Sequence, residues 1–354
     1  MEIGDDHRFW VKPWIRTVRS GDLDAVGRVV AEGRARGGVP ATAAVVSCYE
    51  AGREGFWIHR ALTRGGIQNR VVDSSSIEVK RRARRTKTDR IDAGKLLMLL
   101  VRVCSGERGA WQEVRVPTEA AEAARHVSRE RTALRKEQTR LGNQIGSWLA
   151  TCGCGVSRRA RRTAAWWTTA RDWQGERLPA PVQARIARAE ARLAVLTAQI
   201  TTLEEAQRAA TQTAAPESAL GRLVQLKGVA TTSATILLDE GLVWRAFRNR
   251  REVGGLQGFA PAIYSSGTTD RDQGISRAGN ARLQAVSIQL AWNWVRWQPL
   301  SAITQWYRAH FGERRRARRI GIVAVPRKLL IALWRYATTG VVPAGALLHP
   351  VRVA

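Results

Sequence analysis

Ala43-Ala44-Val45-Val46-Ser47-Cys48-Tyr49-Glu50 is a short apolar run that ends in a carboxylate. A run of this length reads as a strand buried in a central sheet, with Glu50 delivered to its carboxyl end. A helix is predicted next over 51–62, closed by Gly65-Gly66, and a second short strand over Arg70-Val71-Val72-Asp73 before the loop Ser74-Ser75-Ser76. Upstream, Ser20 or Asp22 is placed to cap a helix whose inner face carries Leu23, Val26, Val29 and Val30 and which ends at Gly37-Gly38. Residues 9–19 read as a strand or strand pair broken near Pro13. Strand and helix alternate, which predicts an α/β domain. Open α/β sheets bind ligands at the carboxyl ends of their strands, so Glu50 is a candidate functional carboxylate.

Beyond the second strand the chain turns strongly basic: Lys80-Arg81-Arg82-Ala83-Arg84-Arg85-Thr86-Lys87. The segment Thr88-Asp89-Arg90-Ile91-Asp92-Ala93 follows and opens an apolar helix through Leu96–Val101. Thr88 suits an N-cap, and acids in the first turn suit the positive helix end. That account needs no further role for Asp89 and Asp92. The other account notes that carboxylates three apart share a helix face. They are then poised to hold a divalent metal beside cations that hold phosphates.

A connector, 105–117, leads from this region to a helical stretch. Val127, Leu134, Leu141 and Trp148 recur at heptad spacing with Ile145 beside them, and Ile186, Ala189, Leu193, Leu196, Ile200 and Leu203 alternate three and four apart. The pattern predicts an antiparallel helical hairpin, either a coiled-coil arm or two ordinary amphipathic bundle helices. Between its helices lie Arg158, Arg159, Arg161 and Arg162, then Trp166-Trp167. This is either a loop for phosphate contact and base stacking or a solvated basic loop with two core tryptophans. From Pro216 a third region begins. Leu223–Leu238 has a helix–turn–helix look, with Gly228 in the turn, suited to phosphate contact through backbone amides. Further on stand Gly258-Phe259-Ala260-Pro261, Ser265-Ser266-Gly267-Thr268-Thr269, and Ile275-Ser276-Arg277-Ala278-Gly279-Asn280-Ala281-Arg282-Leu283, then an apolar helix from Val286 to Trp297. A serine beside glycine in a polar loop is by default a turn residue. In the tail, Arg314–Arg319 is a phosphate-binding candidate and 326–336 an amphipathic helix that closes the domain core.

Composition narrows the partners. The 354 residues hold 58 Lys and Arg against 30 Asp and Glu, a formal charge of +28, which points to a polyanion, nucleic acid first of all. No apolar run approaches the roughly 20 residues of a membrane span, so no membrane partner is expected. The start, Met1-Glu2-Ile3-Gly4-Asp5-Asp6, has no signal-peptide pattern. Cys48, Cys104, Cys152 and Cys154 have neither zinc-site spacing nor a disulfide framework's density, and a reduced, cytoplasmic setting fits. His59, His126 and His310 fall in helix-like contexts, and no Ser-His-Asp set is implied.

The order Tyr49-Glu50-Ala51-Gly52, Gly55-Phe56-Trp57, Val71-Val72-Asp73, then Arg85–Ala93 resembles the N-terminal part of the IS110-family transposases. The later elements resemble the C-terminal domain of the same family, with Arg277 where Lys is usual. The resemblance implies an α/β RNase H/RuvC-like domain over 1–116, a coiled-coil helical arm over 117–215, and a mostly α-helical C-terminal transposase domain over 216–354. It implies an Asp-Glu-Asp-Asp metal set in which Glu50, Asp89 and Asp92 take the last three places, with magnesium or manganese as cofactor. The family's first Asp lies on an opening strand in a G-x-D-V-like pattern that this chain lacks, so the first strand is expected to be missing. The resemblance also makes Ser266 the nucleophile that takes a DNA strand as a phosphoserine bond, with Ser265 as the alternative register. Arg271, Arg277 and Arg282 would clamp phosphates. DNA, a structured non-coding RNA from the element and a second copy of the chain, joined through the arm, are the implied partners. Two other readings stay open: a non-catalytic nucleic-acid-binding remnant, and a RuvC-like junction nuclease that needs the acids but not Ser266.

Overall fold

The structure is a computed structural model describing residues 14–77, 89–157, 159–242, 244–259, 261–266, 269–275, 279–312 and 315–349, with 89–91 and the strands over 261–275 followed as backbone. The protein is mostly helical, with two small two-stranded sheets among the described residues. The chain divides into two compact units, Met1–Val116 and Pro117–Ala354.

In the first unit, helix α1 (Leu23–Gly37) is capped by Asp22, whose Oδ1 accepts from the Ala25 amide at 2.8 Å. Residues 14–19 form no strand. Trp14 instead lies against α1 at Gly33, under the Arg16 guanidinium at 4.2 Å, and Arg16 pairs with Glu32 at 3.2 Å. Side chains of a helix, not a backbone ladder, hold this segment; 9–13 lie outside the described residues.

Strands β1 (Val46–Glu50) and β2 (Gln68–Val72) run parallel, in register from Val46 opposite Gln68 to Glu50 opposite Val72. The crossover helix α2 spans Trp57–Arg64, starting well after the predicted residue 51. Gly55, at φ +67°, and its amide bond to the Gly52 carbonyl make a turn there that a helix cannot continue through. Residues 112–114 lie antiparallel along β2: the Asp73 amide donates to the Gln112 carbonyl and the Val114 amide to the Val71 carbonyl, both at 2.8 Å. Helix α3 (Asp89–Cys104) covers the sheet with Leu96, Leu99, Leu100 and Val103, which pack with Val46, Cys48, Val72 and Trp111, while Leu97 and Met98 stay exposed. The apolar stretch is thus split by helical periodicity into a buried and a wet face.

In the second unit α4 (Glu119–Thr151) and α5 (Ala180–Gln212) form the hairpin. Arg131 pairs with Glu204, and one heptad on, Gln138 Nε2 donates to Thr197 Oγ1 one heptad back, so the helices run antiparallel. Leu141, Ile145 and Leu149 bury against Ile186, Ala189 and Leu196. Val127 is 40% exposed and stands outside the seam. At that level α4 turns another face, around Ser128 and Arg129, to the helical body of the unit.

That body comprises α6 (Ala219–Gln225), α7 (Thr231–Leu237), a π-helical turn at Leu238–Leu242, α8 (Arg250–Gly255), β3 (Pro261–Ser266), β4 (Thr269–Ile275), α9 (Ala281–Trp297), α10 (Ala302–Phe311), α11 (Arg315–Gly321) and α12 (Val325–Thr339). Gly228 turns the chain between α6 and α7 at φ +86°. Leu283, Val286, Leu290 and Trp294 of α9 bury against Leu329, Leu330, Leu333 and Tyr336 of α12, with Leu223, Leu226 and Leu237 closing the core. The tail helix closes this domain as its amphipathic pattern predicts. The wholly buried Gln298 amide donates to the carbonyls of Lys227 and Leu347 at 2.8 Å each, which ties the last segment to the α6–α7 turn.

Candidate nucleic-acid-processing site

Glu50 stands exposed at the carboxyl end of β1, where the next amide, Ala51, donates to the Val72 carbonyl at 2.8 Å. Asp73 leaves β2 at the same edge. Asp92 lies in the first part of α3, half-buried, with Lys95 at 3.5 Å from its Oδ1. Asp89 opens α3, and its side chain lies outside the described set. Cys48, two residues before Glu50, donates its thiol to the Leu96 carbonyl at 3.8 Å. Burial, with Cys104 adding to it and Arg70 opposing, pushes the Cys48 thiol up to about 11, so it stays protonated and unreactive. Glu113 also reaches this edge, but Arg70 Nη1 neutralises it at 2.7 Å. Among the described residues no three Asp, Glu, His or Cys groups gather as a metal cluster, and all four cysteines are free. Thr88 and the basic run Lys80, Arg81, Arg82, Arg84, Arg85 and Lys87 lie outside the described residues, as do Arg158, Arg277 and Arg314.

Ser265 and Ser266 stand at the end of a strand. β3 and β4 pair antiparallel, with Ser265 opposite Asp270 and Ser266 opposite Thr269, so Ser266 is the last paired residue before the turn. Gly279-Asn280 lead into α9, and each residue of that pair has a physical reason. A Cβ at position 279 would sit 2.5 Å from the Gly258 nitrogen, so only glycine lets the two backbones meet. Asn280 caps α9, its Oδ1 accepting from the Arg282 and Leu283 amides at 2.9 and 3.2 Å. Its Nδ2 donates to Glu240 at 2.8 Å.

Glu240, in the π-helical turn, joins α4 to the start of α9. Its side chain is wholly buried, yet it accepts from Arg129 Nε and Nη2 at 3.0 Å each and lies 3.2 Å from Arg282 Nη1. Burial alone would raise its carboxyl. The Arg129 and Asn280 hydrogen bonds and the two arginine charges outweigh that and hold it below the usual carboxylate range. Its neighbour Asp239 goes the other way. Burial pushes it up to about 6, against a hydrogen bond involving Ser128, and the Glu240 charge adds to the rise. Arg282, expected to clamp phosphate, is engaged inside the fold: Nη2 donates to the Ser128 carbonyl at 2.8 Å and to Thr132 Oγ1 at 2.9 Å. It joins α9 to α4. Nothing in the sequence marks Glu240, because its partners come from residues more than a hundred positions before and forty after.

At the arm's tip, Arg159 and Arg162 are exposed, whereas Arg161 is half-buried and donates to the Val156 carbonyl at 3.2 Å. Trp166 is a core residue, 5% exposed, its indole N–H donating to Glu190 at 3.0 Å. His59, His126 and His310 all lie within helices; His59 Nδ1 meets Asn69 Oδ1 and His310 Nδ1 the Trp306 carbonyl. No helix among the described residues is long and apolar enough to cross a membrane.

The region from α6 into α10 is the part of the chain that a family model covers. Residues 221–306 match the family model described as Transposase IS116/IS110/IS902 family, which gives the class as transposases of insertion sequences. A Sinorhizobium fredii protein carrying the name transposase y4rJ is 41% identical over 314 residues, covering 84% of this chain and 78% of that protein. A second protein of that organism, named as transposase y4qE, is 28% identical over 71% of this chain and 58% of its own length. A Pseudomonas aeruginosa protein named as a family 20 transposase is 28% identical over 49% of this chain and 51% of its own. The chain belongs to the IS116/IS110/IS902 family of transposases.

Proposed function

We propose that this chain cuts and rejoins DNA strands for an insertion sequence, through a serine nucleophile assisted by carboxylate-held metal. The observation that carries the proposal is the packing of α3 on β1. Cys48 meets Leu96; Asp92 precedes Leu96 by one helical turn and Glu50 follows Cys48 by two strand residues, each about 6 Å along its element. An RNase H/RuvC-like arrangement, with acids from a strand end and a helix start facing one point, fits this packing. Glu50, Asp89 and Asp92 would hold magnesium or manganese, which when bound neutralises phosphate charge and stabilises a leaving oxygen. The residues present suit that group: Glu50 is exposed and the Asp92 carboxylate is partly open to solvent, while the nearby Glu113 is already neutralised by Arg70.

Ser266 Oγ attacks a DNA phosphorus, giving up its proton as the O–P bond forms, and the leaving strand's oxygen takes up a proton as its P–O bond breaks. The DNA stays attached as a phosphoserine ester until the hydroxyl of a second strand displaces the serine. The backbone pairing of Ser266 with Thr269, the last of the ladder, supports a nucleophile carried at a strand end. Arg271 and Arg277 would neutralise phosphates; Arg282 instead joins α9 to α4 and Glu240 through Ser128 and Thr132. The basic run 80–87 and the arm's Arg158, Arg159 and Arg162 would follow the backbones of DNA and of a structured RNA. A homo-oligomer through the arm would use surfaces other than the Ile186–Leu203 seam, because α4 of the same chain fills that seam; Val195, 58% exposed, lies on such a surface.

The test is covalent trapping of protein on DNA with the element's RNA. Ser266→Ala should abolish the adduct while leaving nucleic-acid binding intact, since it removes one hydroxyl and no charge. An adduct lost only in Ser265→Ala would move the nucleophile by one residue. An adduct that survives both substitutions would sink the serine mechanism and favour a junction nuclease.

A further inference from the structure

The geometry points to a stacking site for one unpaired nucleotide at Trp173, on the tip of the helical arm. The inference rests on the nucleic-acid reading above and adds a site and a ligand class to it.

Trp173 is 74% exposed, the most exposed large apolar side chain among the described residues. A single exposed hydrophobe needs no explanation by itself. The turn that presents this one is closed and fixed. Arg171 and Arg177 form an antiparallel bridge, the Asp172 amide donates to the Glu176 carbonyl at 2.8 Å, and Asp172 Oδ1 accepts from the amides of Gln174 and Glu176 at 2.9 Å each. The Trp173 amide donates to the Cys152 carbonyl at 3.1 Å. Gly153, at φ +65°, lets the Trp173 backbone come so close that a Cβ there would lie 2.6 Å from Trp173 Cβ. The turn is therefore pressed onto the end of α4 with its indole facing water.

Its surroundings select the occupant. Arg171 and Arg177, before and after Trp173 in sequence, are exposed, and Arg159 and Arg162 are exposed on the same connection. From 157 to 177 the sequence holds six arginines against two acids, Asp172 and Glu176. A pocket of ≈ 380 Å³ opens beside the turn, lined by Val156, Ala160, Thr163, Trp166, Thr169 and Arg171. That volume is in the range of small-ligand sites, which run from about 300 to 1,000 Å³. An exposed indole in an arginine-rich connection, two residues from a pocket lined in part by Arg171, is suited to a base with its phosphates. In a duplex the bases are already stacked on one another, so the occupant is an unpaired strand.

The experiment measures binding of the full chain to a short unpaired RNA, the same sequence as unpaired DNA, and the two matching duplexes, by fluorescence anisotropy. Trp173→Ala should weaken binding of the unpaired strand roughly 5- to 150-fold, the range for losing one base–aromatic stack, and change duplex binding less than about twofold. Trp173→Phe, which keeps a ring, should recover most of the loss. A loss larger on RNA than on DNA assigns the site to RNA, and the converse assigns it to displaced DNA; either supports the site. Unpaired strands bound equally by wild type and Trp173→Ala would overturn the stacking site and leave the nucleic-acid reading standing. A wild-type chain that binds none of the four would overturn both. Equal losses on strand and duplex, with a lowered melting temperature, would reduce Trp173 to a structural role and also overturn it.

Discussion

Replacing Glu240 by alanine should destabilise the second unit more than any single substitution among its partners. The carboxylate is wholly buried and receives Arg129 twice at 3.0 Å, Asn280 at 2.8 Å and Arg282 at 3.2 Å. Removing one member of a buried ion pair costs about 3–5 kcal/mol, because the other is left charged and unpaired. The low end applies here. The Arg129 side chain is 49% exposed and can turn to water, whereas that of Arg282, 22% exposed, cannot. A loss of about 3 kcal/mol in a unit of this size lowers the melting temperature by roughly 6–12 °C. The reverse cut, Arg129→Ala, leaves Glu240 with Asn280 and Arg282 and should cost about 1 kcal/mol, the upper end of what an exposed partner contributes. Calorimetric melting of both variants at pH 7 checks the order. The Glu240 carboxyl is held below its usual range, so its stabilisation is present above about pH 4.3 and is lost as pH falls. A Glu240→Ala melting point within 2 °C of wild type, or a larger drop for Arg129→Ala, would refute the reasoning.

Asp239, raised to about 6 by burial, contributes in the opposite sense: stability present below about pH 4 is lost as pH rises through 6, so Asp239→Asn should be the more stable protein at pH 7 and flatten the profile between pH 4 and 6 in denaturant titrations. Ile186 is fully buried in the hairpin seam, and Ile186→Ala should cost about 2–5 kcal/mol in urea unfolding, with the arm's helical signal lost first. Nucleic-acid affinity should fall steeply with salt, since a chain of charge +28 binds by displacing counterions; affinity that stays flat from 50 to about 200 mM salt would remove the polyanion reading.

The elements that sequence predicts well are those whose cause is local. Asp22 before Leu23 and Gly65 after Arg64 mark helix ends because caps and glycines act within one turn. The parallel strands and the antiparallel hairpin follow from apolar runs and heptads. The errors come from competition with distant partners. Trp14 and Arg16 read as strand residues, yet they pack on α1; Val127 fits the heptad, yet lies where α4 turns toward the helical body. The candidate site divides in the same way. Glu50 at a strand end and Ser266 beside a Gly are visible as local patterns. The engagement of Arg282 is not, because Ser128 and Thr132 lie about 150 residues away in sequence.

The clamp of α4 by Arg129 and Arg282 has a mechanical consequence. From Arg129 to the end of α4 at Thr151 the helix extends about 33 Å at 1.5 Å per residue. The clamp is a pivot, and everything beyond it is a lever arm. A tilt of about 5° at the pivot moves the far end by roughly 3 Å, comparable to one strand residue's rise. Glu240 and Asn280, the cap of α9, sit at that pivot. Load applied to the arm's tip is therefore transmitted, geared down, to Glu240 and the start of α9.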